Sequence, residues 1–150
     1  MLKKIFNHFG YTFSKIKKSN TIIDIIKLRL KNNKCNILID IGANKGDFAI
    51  KFLNTFQKTF LIEPNPKLIR GLEQRFIDDI NYKIFNCGID IKNAIKKFYI
   101  TSDTGSTLSS IKKQKEILKK TLKKTDITSV KNIKFYRLDF FLKNKIRKND

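Results

Sequence analysis

Apolar residues recur every three or four positions at Ile22, Ile23, Ile26 and Leu30, which predicts an amphipathic helix over 21–31. Another basic helix is expected before it, over 2–18. The pattern then changes. Asn36-Ile37-Leu38-Ile39-Asp40-Ile41 is a short run, rich in β-branched residues, that ends at glycine, as expected of a strand buried on both faces. Helical spacing follows in Phe48, Ala49, Phe52 and Leu53. Phe60-Leu61-Ile62-Glu63 predicts a second buried strand, halted by Pro64-Asn65-Pro66. Pro66 suits the first turn of a helix whose inner face would be Leu68, Ile69, Leu72 and Phe76. Tyr82-Lys83-Ile84-Phe85-Asn86-Cys87 is the third expected strand. Strand, helix, strand, helix, strand in this order predicts right-handed crossovers and a parallel sheet. That is the half-fold that binds nucleotides.

Beyond residue 90 the periodicity weakens. Ala94 to Ile100 alternates loosely through Ile95, Phe98 and Ile100 and reads as an added strand. A Ser/Thr/Gly loop is expected over 102–110, a Lys-rich helix over 111–124, a strand over 131–138 and a short helix over 139–147. The chain divides into basic N-terminal helices, 1–34, and an α/β part, 35–150. Its 150 residues and 41% apolar content suffice for one core.

Charge changes the picture in one respect. A formal +20 predicts non-specific binding to polyanions at low salt, through counterion release. The lysines are spread along the chain and form no single stripe with interleaved aromatics, which favours a bland basic surface. The basic side of the first helix (Lys3, Lys4, Lys15, Lys17, Lys18) is expected to be solvated and not seated on a membrane. No apolar run approaches the roughly 20 residues of a transmembrane segment. Polar residues interrupt the stretch after Met1 too early for a secretion signal. Cys35 and Cys87 are therefore expected as reduced thiols of a cytoplasmic protein. No cluster of His, Cys and carboxylate has metal-ligand spacing, and His8, the single histidine, reads as a surface residue.

The chemistry is concentrated in Asp40-Ile41-Gly42-Ala43-Asn44-Lys45-Gly46-Asp47, where a strand turns toward a helix. Gly42 and Gly46 let the backbone bend sharply and let a ligand lie against it. The start of the following helix would present free N–H groups there. Glu63 ends the second strand 23 positions after Asp40 (63 − 40), near the spacing at which an acidic residue grips ribose hydroxyls. Glu63 could instead cap the next turn and Asp40 a helix. Asn44 stands where a dinucleotide fingerprint needs glycine, and no phosphate-binding P-loop exists. An acidic Asp40 suits a sulfonium nucleoside better than a pyrophosphate.

Ile39-Asp40-Ile41-Gly42-Ala43-Asn44-Lys45-Gly46-Asp47-Phe48, followed by Ile62-Glu63-Pro64-Asn65-Pro66, resembles the FkbM-type family of S-adenosylmethionine-dependent methyltransferases. The resemblance implies an α/β, Rossmann-like methyltransferase half-fold: parallel strands one to three with flanking helices, plus a small family-type insertion. It implies S-adenosylmethionine as cofactor, its methionine part held by Asp40, Gly42, Ala43, Asn44 and Gly46 and its ribose by Glu63. The turn near the adenine falls to Cys87 and Gly88, with Asp90 beyond it. Weaker matches are Thr107-Leu108-Ser109-Ser110 and Leu138-Asp139-Phe140-Phe141. The expected reaction is methylation of an oxygen on a small molecule or glycan. No catalytic residue is assigned; Ser109, Ser110 and Asp139 read equally as acceptor contacts or as loop hydroxyls and a helix cap. The family continues past this point into a K-I-D-x-E-G segment that the sequence lacks, so a truncated chain is expected, with an open edge beside strand one that a complementary chain could cover. The rival reading is a small basic nucleic-acid-binding protein that has kept only the fold.

Overall fold

The structure is a computed structural model; it describes residues 22–32, 35–101, 127–143 and 145–146, together with Ser109 and Ile111. The expected helices over 2–18 and 111–124, and most of the loop over 102–110, lie outside the described residues. The chain forms two compact units, residues 1–34 and 35–150. In the first, helix α1 (Ile22–Asn32) has Ile23, Ile26 and Leu30 partly covered, whereas Ile22, Ile25 and Leu28 face solvent.

The second unit is built on strands β1 (Ile37–Ile41), β2 (Lys58–Ile62) and β3 (Tyr82–Phe85), all parallel, with β2 in the middle. Helix α2 (Pro66–Arg75) crosses between β2 and β3. Asn65 caps it by accepting the Lys67 N–H at 3.1 Å, and Pro66 fills the first turn, where its missing N–H costs nothing. The expected half-fold is borne out. Leu61 packs on one face of the sheet with Ala43, Ala49, Leu72 and Phe76. On the other face Ile62 meets Cys87 and Phe141. β2 is thus buried on both sides, as its unbroken apolar run predicted. β1 has the same composition but stays half-buried, and Ile41 is 49% exposed. Among the described residues no strand pairs with its outer edge.

A second sheet orders its strands β4 (Gly88–Ile89), β6 (Ile127–Tyr136) and β5 (Ala94–Thr101). β5 and β6 are antiparallel, with a register shift at Ile100/Thr101, and β4 is parallel to β6. Phe98, Ile100, Ile133 and Phe135 form its core. Helix α3 (Leu138–Leu142) follows β6.

Four expectations need correction. No α-helix follows the glycine bend; the chain makes only a 3₁₀ turn, Ala49–Phe52, because Gly46 and Asn54 adopt left-handed φ of 79° and 56° on either side. The third strand stops at Phe85, since Asn86 turns its side chain back to the Glu63 and Pro64 carbonyls and Gly88 joins the other sheet. Inward positions of β5 are Lys96, Phe98 and Ile100, so Ile95 points to solvent at 68% exposure. The last helix ends at Leu142, after which the Lys145 and Ile146 N–H groups fold back on the Leu142 carbonyl.

Candidate functional site

β1 and β2 run in parallel with Ile41 opposite Ile62, so the bend after β1 and the residue after β2 share one edge of the sheet. The bend is drawn over β2: the Gly42 and Ala43 N–H groups both donate to the Ile62 carbonyl, at 2.8 and 3.1 Å. Gly42, Asn44 and Gly46 all have left-handed φ, of 79°, 52° and 79°. This alternation needs residues that tolerate it, and glycine and asparagine do.

Glu63 knits the edge together. Its Oε2 accepts the Asn44 N–H at 2.8 Å and its Oε1 the Asn65 N–H at 2.7 Å, with the side chain only 5% exposed. Burial raises its pKa above the usual value, opposed by those two N–H donors and reinforced by the nearby charge of Asp40. Asp40 is likewise raised by burial, against one favourable backbone N–H from Ala49. Each carboxylate thus caps a neighbouring turn, the plainer of the two roles open to it. Capping does not exhaust them: among the described residues Asp40 Oδ2 and Asn44 Oδ1 are buried without a hydrogen-bond partner. Polar atoms in that state cost free energy unless something satisfies them.

The two glycines of the bend differ. A Cβ on Gly42 would meet nothing within 4 Å, so its outer face is open to a ligand. On Gly46 it would lie 2.6 Å from the Phe76 ring and 3.0 Å from Leu72, so this glycine lets the bend sit tightly on α2. Gly42, Asn44 and Glu63 line a cleft with Pro64, Asn65, Leu68, Phe98 and Ser109, of about 160 Å³. That is below the roughly 300 Å³ at which small-molecule pockets begin, so it encloses one portion of a nucleoside-sized ligand.

Cys87 and Gly88 stand apart from this cleft. Cys87 is a buried free thiol whose pKa is pushed up by burial, and it lines a separate cavity beyond the end of β3. Gly88 packs under Phe135, whose ring a Cβ would meet at 2.0 Å. Asp90 pairs with Lys96, and Asp139 with Arg137 at 2.5 Å, so both carboxyls are held below the usual range. Ser109 accepts the Thr101 N–H at 3.3 Å at the rim of the cleft. By pattern Phe98 and Asn86 read only as strand residues, not as part of the site. Phe98 reaches the site from a strand 35 positions beyond Glu63 (98 − 63), which no local pattern announces. A polar residue closing an apolar strand was the available signal for Asn86. Among the described residues no group of His, Cys, Asp and Glu could hold a metal ion, and no helix is long and apolar enough to cross a membrane.

Three parallel strands with the glycine bend and the acidic residue on one edge make this a Rossmann-like methyltransferase half-fold. The chain is similar to two curated proteins described as ribosomal RNA small subunit methyltransferase A, from Mycoplasma mycoides subsp. mycoides SC and Mycoplasma capricolum subsp. capricolum. Each is 30% identical over 129 residues, covering 80% of this chain and 45% of the relative. The chain thus spans a little under half the length of these relatives. No protein-family profile matches it. The similarity supports a methyltransferase in general and does not single out the FkbM type.

Proposed function

We propose that the α/β unit binds S-adenosylmethionine and is the cofactor-holding portion of a methyltransferase. The observation that carries the reading is the buried Glu63 tied to the glycine bend, beside two buried polar atoms left without partners among the described residues. These residues fit the group. Asp40 Oδ2 is an acceptor for an ammonium or a positively charged environment, Asn44 Oδ1 accepts a donor, and the open face of Gly42 admits close approach. Each Glu63 oxygen keeps a lone pair for a ribose hydroxyl once its backbone N–H is served. Ala43 and Gly46 shape the bend from behind. Cys87 and Gly88 lie outside the cleft and keep a supporting part, Gly88 holding the turn after β3 under Phe135. When bound, S-adenosylmethionine supplies an electrophilic methyl group on a sulfonium. The chain's own contribution is to bind, to orient and to exclude water, from which such transfers draw much of their rate.

The relatives' described substrate and the charge of +20 support an RNA acceptor. The FkbM-type reading, with a small molecule or glycan as acceptor, draws on the residues at 39–48 and 62–66 and on the antiparallel β5–β6 insert. Calorimetric titration with S-adenosylhomocysteine tests the cofactor reading. Saturable binding that Glu63→Ala abolishes is expected, and no heat at millimolar ligand overturns it. Transfer of labelled methyl groups to ribosomal RNA, and not to a panel of hydroxylated small molecules, separates the acceptors. If S-adenosylhomocysteine is ignored while RNA binding survives Glu63→Ala, the chain is a basic nucleic-acid-binding protein on a methyltransferase fold.

A further inference from the structure

Two cavities, of about 520 and 600 Å³, adjoin on the unit 35–150 and share Phe85 and Lys145 in their walls. The first lies beyond the end of β3, and the second runs down β2 and β3 toward Lys83. Among the described residues four lysines line the pair and no acidic residue does. Aromatic rings alternate with these lysines. Tyr136 and Phe140 lie nearly parallel, 14° apart at 6.3 Å, and Phe140 is 57% exposed. Phe85 and Phe141 meet edge to face at 5.0 Å, under the Lys145 ammonium, which sits 4.3 Å above the Phe141 ring and donates to the Phe141 carbonyl. The fold therefore gathers what the sequence scatters: cations from β2, β3 and the segment after α3, and rings from β2, β3, β6 and α3.

We infer that this groove binds single-stranded RNA, stacking one base on the exposed face of Phe140 beside Tyr136 and holding the flanking phosphates with Lys83, Lys143 and Lys145. A cavity of this size suits a nucleotide, aromatic faces stack any base, and lysines track the backbone. The groove opens beside the cofactor edge, because Asn86, in its wall, donates to the Glu63 and Pro64 carbonyls at 2.9 and 3.2 Å. The inference deepens the proposed function by giving its RNA acceptor a place on the chain, and rests on it to that extent.

Fluorescence anisotropy of the 150-residue chain with a labelled mixed-sequence 12-mer RNA, in 150 mM salt, tests it. Phe140→Ala is expected to weaken binding about 5- to 150-fold, the equivalent of about 1–3 kcal/mol for one stacked base. Lys143→Ala should weaken it less and flatten the salt dependence by about 0.7 in the log–log slope. Lys97→Ala, on the outer sheet, should change neither. Phe140→Tyr, which keeps a stacking face, should restore affinity. Equal losses for Lys97→Ala and Lys143→Ala, with Phe140→Ala within twofold of wild type, would mean that diffuse charge alone binds and would overturn the inference. So would displacement of the RNA by heparin or anionic vesicles with unchanged affinity in Phe140→Ala. Titration with S-adenosylhomocysteine separates the failures: a chain that binds the nucleoside but shows no Phe140 dependence loses only the groove, and one with the reverse behaviour loses only the cofactor reading.

Discussion

Glu63 offers the sharpest test, because one side chain serves both the fold and the proposed ligand. Its carboxylate satisfies the Asn44 and Asn65 N–H groups, the first across 19 residues of chain. Glu63→Ala leaves both donors without an acceptor in a site that is 5% exposed. At about 1–3 kcal/mol for each orphaned buried group, the loss is about 2–6 kcal/mol, less whatever is regained by no longer burying a charge. Glu63→Gln keeps one oxygen and orphans one donor, so about 1–3 kcal/mol is expected. Against a total of about 5–15 kcal/mol for a domain, the alanine variant loses a large share of its stability. Urea unfolding followed by far-UV circular dichroism suits a chain with no tryptophan, and the order wild type, Gln, Ala should appear in the midpoints at unchanged slope. Affinity for S-adenosylhomocysteine should fall in the same order, since Asn44 in the bend is released with the carboxylate. Both variants unfolding within about 0.5 kcal/mol of wild type would refute the reasoning, because Glu63 would then tie nothing to the bend.

The two glycines of the bend should part company. Gly42→Ala has space and suffers only its left-handed φ, about 1–2 kcal/mol, while its nucleoside binding falls much further. Gly46→Ala adds a clash with Phe76 and should cost about 2–5 kcal/mol in the same urea assay. Asp40 carries a pH signature. Its folded pKa is raised above 3.8, so the native state holds the proton more tightly than the unfolded chain, and stability declines as pH rises from 3.8 through the folded value. Asp40→Asn removes that penalty: the variant should be the more stable protein at pH 7, with the advantage vanishing below about pH 3.8, while its ligand affinity drops. A variant that loses stability at pH 7 would show that Asp40 is paid for by contacts within the fold. Of the two thiols, exposed Cys35 should react promptly with iodoacetamide and buried Cys87, its pKa raised, only as fast as the protein opens; two equal rates would contradict the buried wall behind β3.

The sequence by itself determined the half-fold and the location of its edge chemistry, and the reason is local. Runs such as Ile37–Ile41 and Phe60–Ile62, short, apolar and rich in β-branched or aromatic residues, favour strands, of which the second is buried on both faces and the first half-buried. Pro66 can only begin a helix, and Gly42 with Asn44 mark a left-handed bend that few other residues accept. The same pattern misjudged the segment after the bend, because its helical spacing over Phe48 to Leu53 competes with left-handed residues on both sides and yields one 3₁₀ turn. Tertiary structure alone decided which residues meet. It drew Phe98 and Ser109 over the cleft, packed Gly46 against Phe76 and Gly88 against Phe135, and set Cys87 in the wall of a different cavity. It also collected lysines and rings that stand up to 87 positions apart, from Lys58 to Lys145 (145 − 58), into one groove. Periodicity reports which face of an element is buried, but the partner of that face is fixed only when distant strands pair, and that pairing leaves no trace in spacing.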